Sequence, residues 1–206
     1  MYNGCGVLVA QMKTGNLPEA YFSCDVSFMR DVQEHFDPAV IFSRNAMVLV
    51  VQKGNPKNIR TLEDLTRPGL KIGLGHPTNS ALGALTDRML VKLGLRDKVY
   101  ASGSTVIHTD AGHMLINQLR TGSLDACVVY RSNALSNAEN PALHLDVIDL
   151  NLPEAIATQP FAVARRGSHR YLMQRLLDAI AAEETKQQFL SLGFEWVYRP
   201  QGSRHD

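Results

Sequence analysis

Hydrophobic residues along this chain follow two periods in turn. Short apolar runs near residues 20–23, 70–75, 124–130, 142–150 and 155–166 are typical of β-strands, and residues 39–55 predict two strands or one long strand. Between them, apolar residues three or four positions apart predict helices over residues 7–13, 82–93 and 111–120. In the second of these, Leu82, Leu85, Met89 and Leu93 share one face. This alternation predicts an α/β fold with mixed, mostly parallel sheets.

Two further helices are predicted from capping and spacing. Asp25 is a good N-cap for a helix whose apolar positions continue to Phe36. The segment from residue 169 onward predicts one helix, or two helices broken near Ala182, ending at Gly193.

Composition and charge exclude several classes of partner. The 206 residues are 45% hydrophobic and 20% charged, as in an ordinary globular protein. The net charge of +1 is spread along the chain without a basic run, so no nucleic-acid partner is expected. The longest apolar runs are far shorter than a bilayer-spanning helix, and no signal segment precedes Gly4, so the chain as given is expected to carry no export address.

The three cysteines do not have the spacing of a zinc site. Cys127 lies inside an apolar run and is expected to be a buried thiol. Cys5 and Cys24 both lie just beyond predicted strand ends, which leaves open a disulfide between them.

The residues that could form a cofactor-binding, catalytic or metal-binding motif do not have the spacing that such a motif requires. Gly73 and Gly75 follow a strand, but no third glycine completes a dinucleotide fingerprint. There is no nucleophile elbow, and His108 and His113 are five positions apart, which does not place them on one helical face as metal ligands. We therefore expect neither an enzyme nor a metal site.

One sequence feature, a short stretch of small or polar residues ahead of a predicted helix, occurs three times. In "NGCGVL", "GHPTNSALG" and "HTDAGHML", small or polar residues lead into a predicted helix. Free N–H groups and the helix dipole make such helix starts able to bind a compact anion. The alternative is that they are ordinary capped helices on the rim of an α/β sheet.

Several segments resemble one known family across nearly the whole chain. "YNGCGVLVAQMKTGNLPEAYFSCDVSFM", "NAMVLVVQKGNP", "LKIGLGHPTNSALG" and "LRTGSLDACVVYRSNA" are similar to corresponding segments of the periplasmic molybdate/tungstate-binding proteins of ABC transporters. The resemblance implies a type II periplasmic-binding-protein fold with two α/β lobes closing on an oxyanion. Lobe I would comprise residues 1–52 and 157–206, lobe II residues 53–156, with crossing segments near residues 47–53 and 158–164.

The resemblance also implies the ligand-binding residues. They are donors at the starts of three helices and a tyrosine at a strand end: Cys5, Gly6, Asn79, Ser80, Leu82, Gly112 and Tyr130. Tyr130 can equally be a core residue of its strand. Cys5 replaces the serine of the family motif, and a thiol is the weaker hydrogen-bond donor. The family begins with a strand and helix ahead of the segment that matches Tyr2, so the resemblance implies that this strand and its oxyanion-binding serine are missing here.

The function implied is that of a solute-binding component of an ABC importer. It would bind molybdate or tungstate in the cleft between the lobes, without catalysis or a cofactor, and deliver it to a membrane permease. A monomer at the periplasmic or cell-surface side of the membrane is expected. The alternative is a cytoplasmic ligand-sensing domain of the same fold from a transcriptional regulator.

Overall fold

The computed structural model describes Met1, residues 3–135 and residues 145–199, which form two compact units. The first unit comprises Met1–Gly4 and Ala46–Ile156, and the second comprises Cys5–Asn45 and Ala157–Asp206. The mixed α/β fold class is confirmed. The lobe boundaries drawn from the sequence, at residues 52 and 156, stay a prediction.

Helices and strands alternate along most of the chain. The helices are α1 (Cys5–Lys13), α2 (Val26–Arg30), α3 (Ala81–Lys92), α4 (Arg96–Ala101), α5 (Gly112–Arg120), α6 (Arg131–Leu135), α7 (Arg170–Ile180) and α8 (Glu183–Ser191). The strands are β1 (Ala20–Phe22), β2 (Val40–Gln52), β3 (Lys71–Gly75), β4 (Thr105–Thr109), β5 (Ala126–Tyr130), β6 (Leu145–Asp149), β7 (Ile156–Val163) and β8 (Glu195–Trp196). Short 3-10 turns cover Gln33–His35, Glu63–Thr66 and Pro153–Ala155. Among the described residues, none of the helices is long and apolar enough to cross a membrane.

The sheet of the first unit is built around the C-terminal half of β2. This half pairs antiparallel with β5 on one side and with β6 on the other, while β3 pairs parallel with β5 and β4. Because β2 and β5 are central strands, the runs Val48–Val51 and Ala126–Tyr130 are buried along their whole length. The parallel strands β3 and β4 end beside one another, in register at Gly75 and Thr109, and each leads towards a helix start.

The sheet of the second unit uses the N-terminal half of β2. β1 pairs antiparallel with β7, β7 lies next to β2, and β8 pairs antiparallel with β2 at Ser43 and Arg44. Its core contains Phe42, Phe161 and Leu177, with Trp196 and Tyr198 packed against them. Phe42 stacks on Tyr198 with ring centroids 4.7 Å apart.

Two predicted helices differ from the structure in their ends. The helix after Asp25 was expected to reach Phe36, but α2 ends at Arg30, because Val32 has a non-helical backbone (φ −137°, ψ 13°). Val32 and Phe36 are nevertheless buried. Leu93 was expected on the buried face of α3, yet it caps the helix and is 40% exposed, since Gly94 (φ 66°) turns the chain there.

Two open alternatives are resolved. Residues 40–52 form one long strand rather than two. The C-terminal segment forms two helices, and the break falls at Ala182, whose extended backbone (φ −62°, ψ 151°) places it as the N-cap of α8.

Candidate functional site

In the second unit, α1 begins at a buried thiol. Cys5 is the first residue of α1 and is 2% exposed. Its Sγ accepts a hydrogen bond from the Cys24 backbone N–H at 3.3 Å and a weaker one from the Ser23 hydroxyl at 3.9 Å. Gly6 follows within the first turn, where backbone N–H groups have no acceptor in their own helix.

The thiols of Cys5 and Cys24 are shifted in pKa in opposite directions. The hydrogen bond from the Cys24 thiol, assisted by the Cys24 N–H, lowers the pKa of Cys5 to about 6, although burial acts in the opposite direction. The same hydrogen bond, together with burial, raises the pKa of Cys24. Cys5, Cys24 and Cys127 are all free thiols, so the disulfide that the sequence left open is not formed in this structure. The lowered pKa favours a negative charge on Cys5 at the start of α1, where the helix dipole stabilises it.

In the first unit, α3 begins without a side-chain cap from its N-cap residue. Ser80 is the N-cap and is 5% exposed, and in the described part of the chain its hydroxyl caps none of the helix N–H groups. Leu82, in the first turn, has a buried side chain. The N–H groups of this turn are thus available to another acceptor.

The turn ahead of α3 is held by His76 and Asp110. The His76 ring nitrogen Nδ1 accepts from the backbone N–H groups of Thr78 and Asn79, both at 3.4 Å. The Asn79 side-chain amide donates to the Asp110 carboxylate at 3.2 Å. Gly4 lies directly against the Asn79 carbonyl, leaving no room for a side chain at position 4.

Two glycines bring α3 close to the end of β3. A Cβ on Gly75 would lie 2.5 Å from the backbone nitrogen of Gly83, and a Cβ on Gly83 would meet the carbonyl of His76. Glycine at both positions permits this contact between two backbones. It places the first turn of α3 at the edge where the parallel strands end.

The start of α5 lies beside that of α3. Ala111 is its N-cap and supplies no side-chain cap. A Cβ on Gly112, the first residue of α5, would meet the side-chain oxygen of Asn133 and lie 3.4 Å from Leu82 Cδ2. Within the first unit the structure therefore brings Leu82 and Gly112 together, with Asn79 and Ser80 in the preceding turn.

Tyr130 ends β5 immediately before α6. It is 9% exposed, and its backbone is opposite Met47 of β2. The next residue, Arg131, forms an ion pair with Asp149 of β6. The burial of Tyr130 suits both a core role and a ligand contact, and its role stays a prediction.

The histidines of this region are used for structure. His108 Nδ1 contacts the Gly75 carbonyl at 3.2 Å and its Nε2 contacts the Tyr100 hydroxyl at 3.1 Å, so both ring nitrogens are occupied. Across the residues that the structure describes, no group of three or more His, Cys, Asp or Glu side chains is arranged to hold a metal ion.

Sequence reasoning missed two features of these helix starts. Asn133 lies against Gly112, and nothing in its sequence position after Tyr130 indicates that contact. The donors that Ser23 and Cys24 offer to Cys5 were also missed, although Cys24 had been considered as its disulfide partner. Both contacts join residues that are distant in the sequence.

The fold and the comparisons define the class of protein. Two α/β units linked by long strands, with uncapped helix starts, are the features of a type II periplasmic-binding protein. Residues 1–195 match the model of the family described as bacterial extracellular solute-binding protein, and the chain belongs to this family.

Individual proteins that the chain resembles narrow the comparison beyond the family. The molybdate-binding protein ModA of Mycobacterium tuberculosis is 30% identical over 199 residues, covering 94% of this chain and 71% of ModA. The periplasmic molybdate-binding protein of Azotobacter vinelandii has a similar structure, with a TM-score of 0.76 and 16% identity over 96% of this chain and 86% of that one. The sulfate-binding protein SubI of Mycobacterium tuberculosis has a TM-score of 0.75 and 15% identity over 97% and 75% of the two chains. At these identities the two structures show the shared fold.

Proposed function

We propose that this chain is the solute-binding component of an ABC importer and that it binds a tetrahedral oxyanion, molybdate or tungstate, without catalysing a reaction. The observation that carries the proposal is the pair of helix starts in the first unit. α3 and α5 begin side by side, at Leu82 and Gly112, and neither N-cap residue caps its helix with a side chain. Two adjacent positive helix ends suit a compact dianion.

The proposed donors are neutral groups. The backbone N–H groups of Leu82 and Gly112 would bind oxyanion oxygens, with the Asn79 amide and the Ser80 hydroxyl beside them. The Tyr130 hydroxyl is proposed as a further donor. The backbone N–H groups of Cys5 and Gly6 are the proposed donors from the start of α1, on the grounds of the family resemblance.

The similarity to ModA, rather than the fold, favours molybdate over sulfate as the ligand. Both ions are tetrahedral dianions, and proteins that bind either one share this fold. The 30% identity to ModA over most of the chain supports molybdate as the ligand class. Tungstate is included because it has the same shape and charge as molybdate.

The proposed partner follows from the family. A solute-binding protein of an ABC transporter delivers its ligand to a membrane permease, at the periplasmic or cell-surface side of the membrane, and we propose that this chain does so as a monomer. The relatives named above are molybdate- and sulfate-binding proteins, and they lend no support to the alternative of a cytoplasmic sensor domain.

Thermal unfolding with a series of anions tests the ligand class. Molybdate and tungstate should raise the melting temperature, whereas sulfate and phosphate at equal concentration should raise it less. A ligand at 100 times its Kd stabilises the native state by about 2.7 kcal/mol. The proposal fails if no oxyanion shifts the melting temperature while an organic solute does.

Single substitutions test the donor groups. Ser80→Ala should weaken molybdate binding about tenfold or more, because a hydrogen bond to a charged ligand is worth about 1.5–3 kcal/mol. Ser191→Ala is the matched control, since its hydroxyl bonds only to a carbonyl of its own helix α8 in the described structure. Equal affinities of the two variants, by isothermal titration, would remove Ser80 from the site.

Tyr130→Phe separates the two roles of that residue. A ligand contact predicts weaker molybdate binding with little change in stability. A core role predicts unchanged affinity and a lower free energy of unfolding. Tyr100→Phe, which removes a hydroxyl bonded to His108, serves as the control for loss of a tyrosine hydrogen bond elsewhere in the same unit.

A further inference from the structure

Two cysteines that are 19 positions apart in the sequence are joined by a hydrogen bond in the second unit. Cys5 opens α1, and Cys24 comes two residues after the end of β1. The Cys24 backbone N–H donates to Cys5 Sγ at 3.3 Å, which holds Cys24 beside that sulfur. Both are free, so the sulfurs are neighbours without a covalent bond.

The surroundings assign different roles to the two sulfurs. Cys5 Sγ receives hydrogen bonds from the Cys24 N–H and the Ser23 hydroxyl and lies at the positive end of a nine-residue helix. All three features stabilise a thiolate at Cys5. The neighbouring Cys5 and burial raise the pKa of the Cys24 thiol, so Cys24 is the partner that keeps its proton more readily. Cys24 is also the more exposed of the two, since it is half-buried whereas Cys5 is 2% exposed.

Cys127 provides an internal comparison. It lies in the middle of β5 with 0% exposure, and burial alone raises the pKa of its thiol. A buried protonated thiol in an apolar strand is a poor nucleophile. Reactivity in this chain is therefore concentrated in one pair.

We propose that Cys5 and Cys24 form a peroxide-sensitive dithiol that closes reversibly into a disulfide. Cys5 is the attacking sulfur, and Cys24 is the sulfur that resolves the intermediate. The pair is a modification site at the start of α1 in the second unit.

The chemistry needs a peroxide as the two-electron oxidant. The Cys5 thiolate attacks one peroxide oxygen, the O–O bond breaks, and the leaving hydroxide takes up a proton to give water and a sulfenic acid on Cys5. The Cys24 sulfur then attacks the Cys5 sulfur, and the S–O bond breaks. The leaving hydroxide takes the Cys24 proton as a second water. Two thiols and one hydrogen peroxide thus give one disulfide and two waters.

Oxidation changes the local charge as well as the covalent structure. The disulfide removes the thiolate from the start of α1, and it cross-links α1 to the segment that follows β1. A cross-link over a loop of this length should raise the melting temperature by roughly 5–10 °C. A thiol reductant restores the original state.

Peptide mapping of the full chain tests the proposal, because trypsin places each cysteine in a separate peptide. Cleavage at Lys13, Arg30, Arg120 and Arg131 gives residues 1–13 with Cys5, 14–30 with Cys24 and 121–131 with Cys127. Reduced protein is treated with hydrogen peroxide, free thiols are alkylated, and the digest is analysed by mass spectrometry. We expect peptides 1–13 and 14–30 to be linked, peptide 121–131 to be alkylated, and dithiothreitol to separate the linked pair. Equal oxidation of all three cysteines, or sulfinic acid on Cys5 with Cys24 still alkylated, would overturn the proposal.

A pair of serine variants tests the assigned roles. In Cys24→Ser the sulfenic acid on Cys5 has no resolving thiol, so dimedone, which traps sulfenic acids, should label peptide 1–13. In Cys5→Ser no thiolate is stabilised, and peptide 14–30 should remain unlabelled. Cys127→Ala is the control and should give the same linked peptides as the unchanged chain. Dimedone on peptide 14–30 of Cys5→Ser, at the rate seen for Cys5, would refute the order of attack. Peptide mapping of the unchanged chain needs no variant to fold.

Discussion

Cys5 carries a low pKa despite its burial because its neighbours donate to it. Burial alone raises a thiol pKa, as it does for Cys127, whereas hydrogen bonds from the Cys24 side chain and backbone lower that of Cys5 to about 6. The sequence indicated that Cys5 lies near a helix start. Its protonation state depends on donors 18 and 19 residues further along the chain.

The stability of the reduced protein should therefore depend on pH through this pair. Between pH 6 and about 9 the folded pair has lost one proton, while both thiols of the unfolded chain retain theirs. The unfolded state binds more protons, so the stability that Cys5 contributes rises with pH, by at most about 1.4 kcal/mol per pH unit, and is lost as pH falls through 6. Above pH 9 the sign reverses, because the folded state still holds the Cys24 proton.

The measurement is the free energy of unfolding by urea under reducing conditions from pH 6 to 9. The difference between the unchanged chain and Cys5→Ser isolates the pair from other titrating groups. A difference that does not change with pH would contradict the lowered pKa of Cys5.

At the scale of elements, the start of α3 depends on two glycines in different elements. Gly75 ends β3 and Gly83 lies in the first turn of α3, and their backbones touch. The sequence pattern predicted both elements from their apolar periods. It did not indicate that Gly83 packs on the end of β3. From the sequence alone, a glycine within a helix pattern indicates only a residue of low helix propensity.

Gly83→Ala should destabilise the protein by about 2 kcal/mol or more. Glycine to alanine within a helix normally stabilises it by about 0.5–1 kcal/mol. Here the new Cβ would meet the backbone of His76 and Gly75, which cannot move aside like a side chain. Urea unfolding measures the change, and a gain in stability would show that α3 does not pack this closely on β3.

Gly112→Ala is the matched comparison. Its new Cβ would meet the end of the Asn133 side chain, whereas that of Gly83 would meet backbone atoms. We expect a smaller loss of stability than for Gly83→Ala, together with weaker molybdate binding if α5 contributes a donor as proposed. A larger loss for Gly112→Ala would mean that Asn133 is as rigidly placed as the backbone.

At the scale of the whole molecule, each unit has its own core. Phe42 is fully buried in the core of the second unit and contacts Phe22, Phe161, Trp196 and Tyr198. Trp196 is the single tryptophan of the chain, so its fluorescence reports on this core. The first unit has a separate core around β2, β3 and β5.

Phe42→Ala should lower the free energy of unfolding monitored by Trp196 fluorescence by about 3–5 kcal/mol. The loss arises from the cavity and from the lost ring contacts with Trp196 and Tyr198. Tyr171→Ala, at a side chain that is 75% exposed in the same unit, is the control and should change stability by less than about 0.5 kcal/mol. Equal losses for the two variants would contradict the placement of Phe42 in the core.

The sequence by itself determined the type and order of most elements. Strands with continuous apolar runs and helices with three-to-four spacing are local patterns, and Asp25 caps α2 as its position predicted, accepting from the Ser27 N–H at 3.0 Å. The family resemblance, which the comparisons confirm, rests on the same order of segments.

Only the tertiary structure decided the features that depend on residues distant in the sequence. It ended α2 early, left Leu93 exposed, placed β5 and β6 on opposite sides of β2, and brought Asn133 to Gly112. Periodicity records which residues are apolar, but contacts between distant segments depend on packing and chain path. The pairing of the Cys5 and Cys24 thiols has the same origin, because a hydrogen bond across 19 positions exists only once α1 and the end of β1 have packed together.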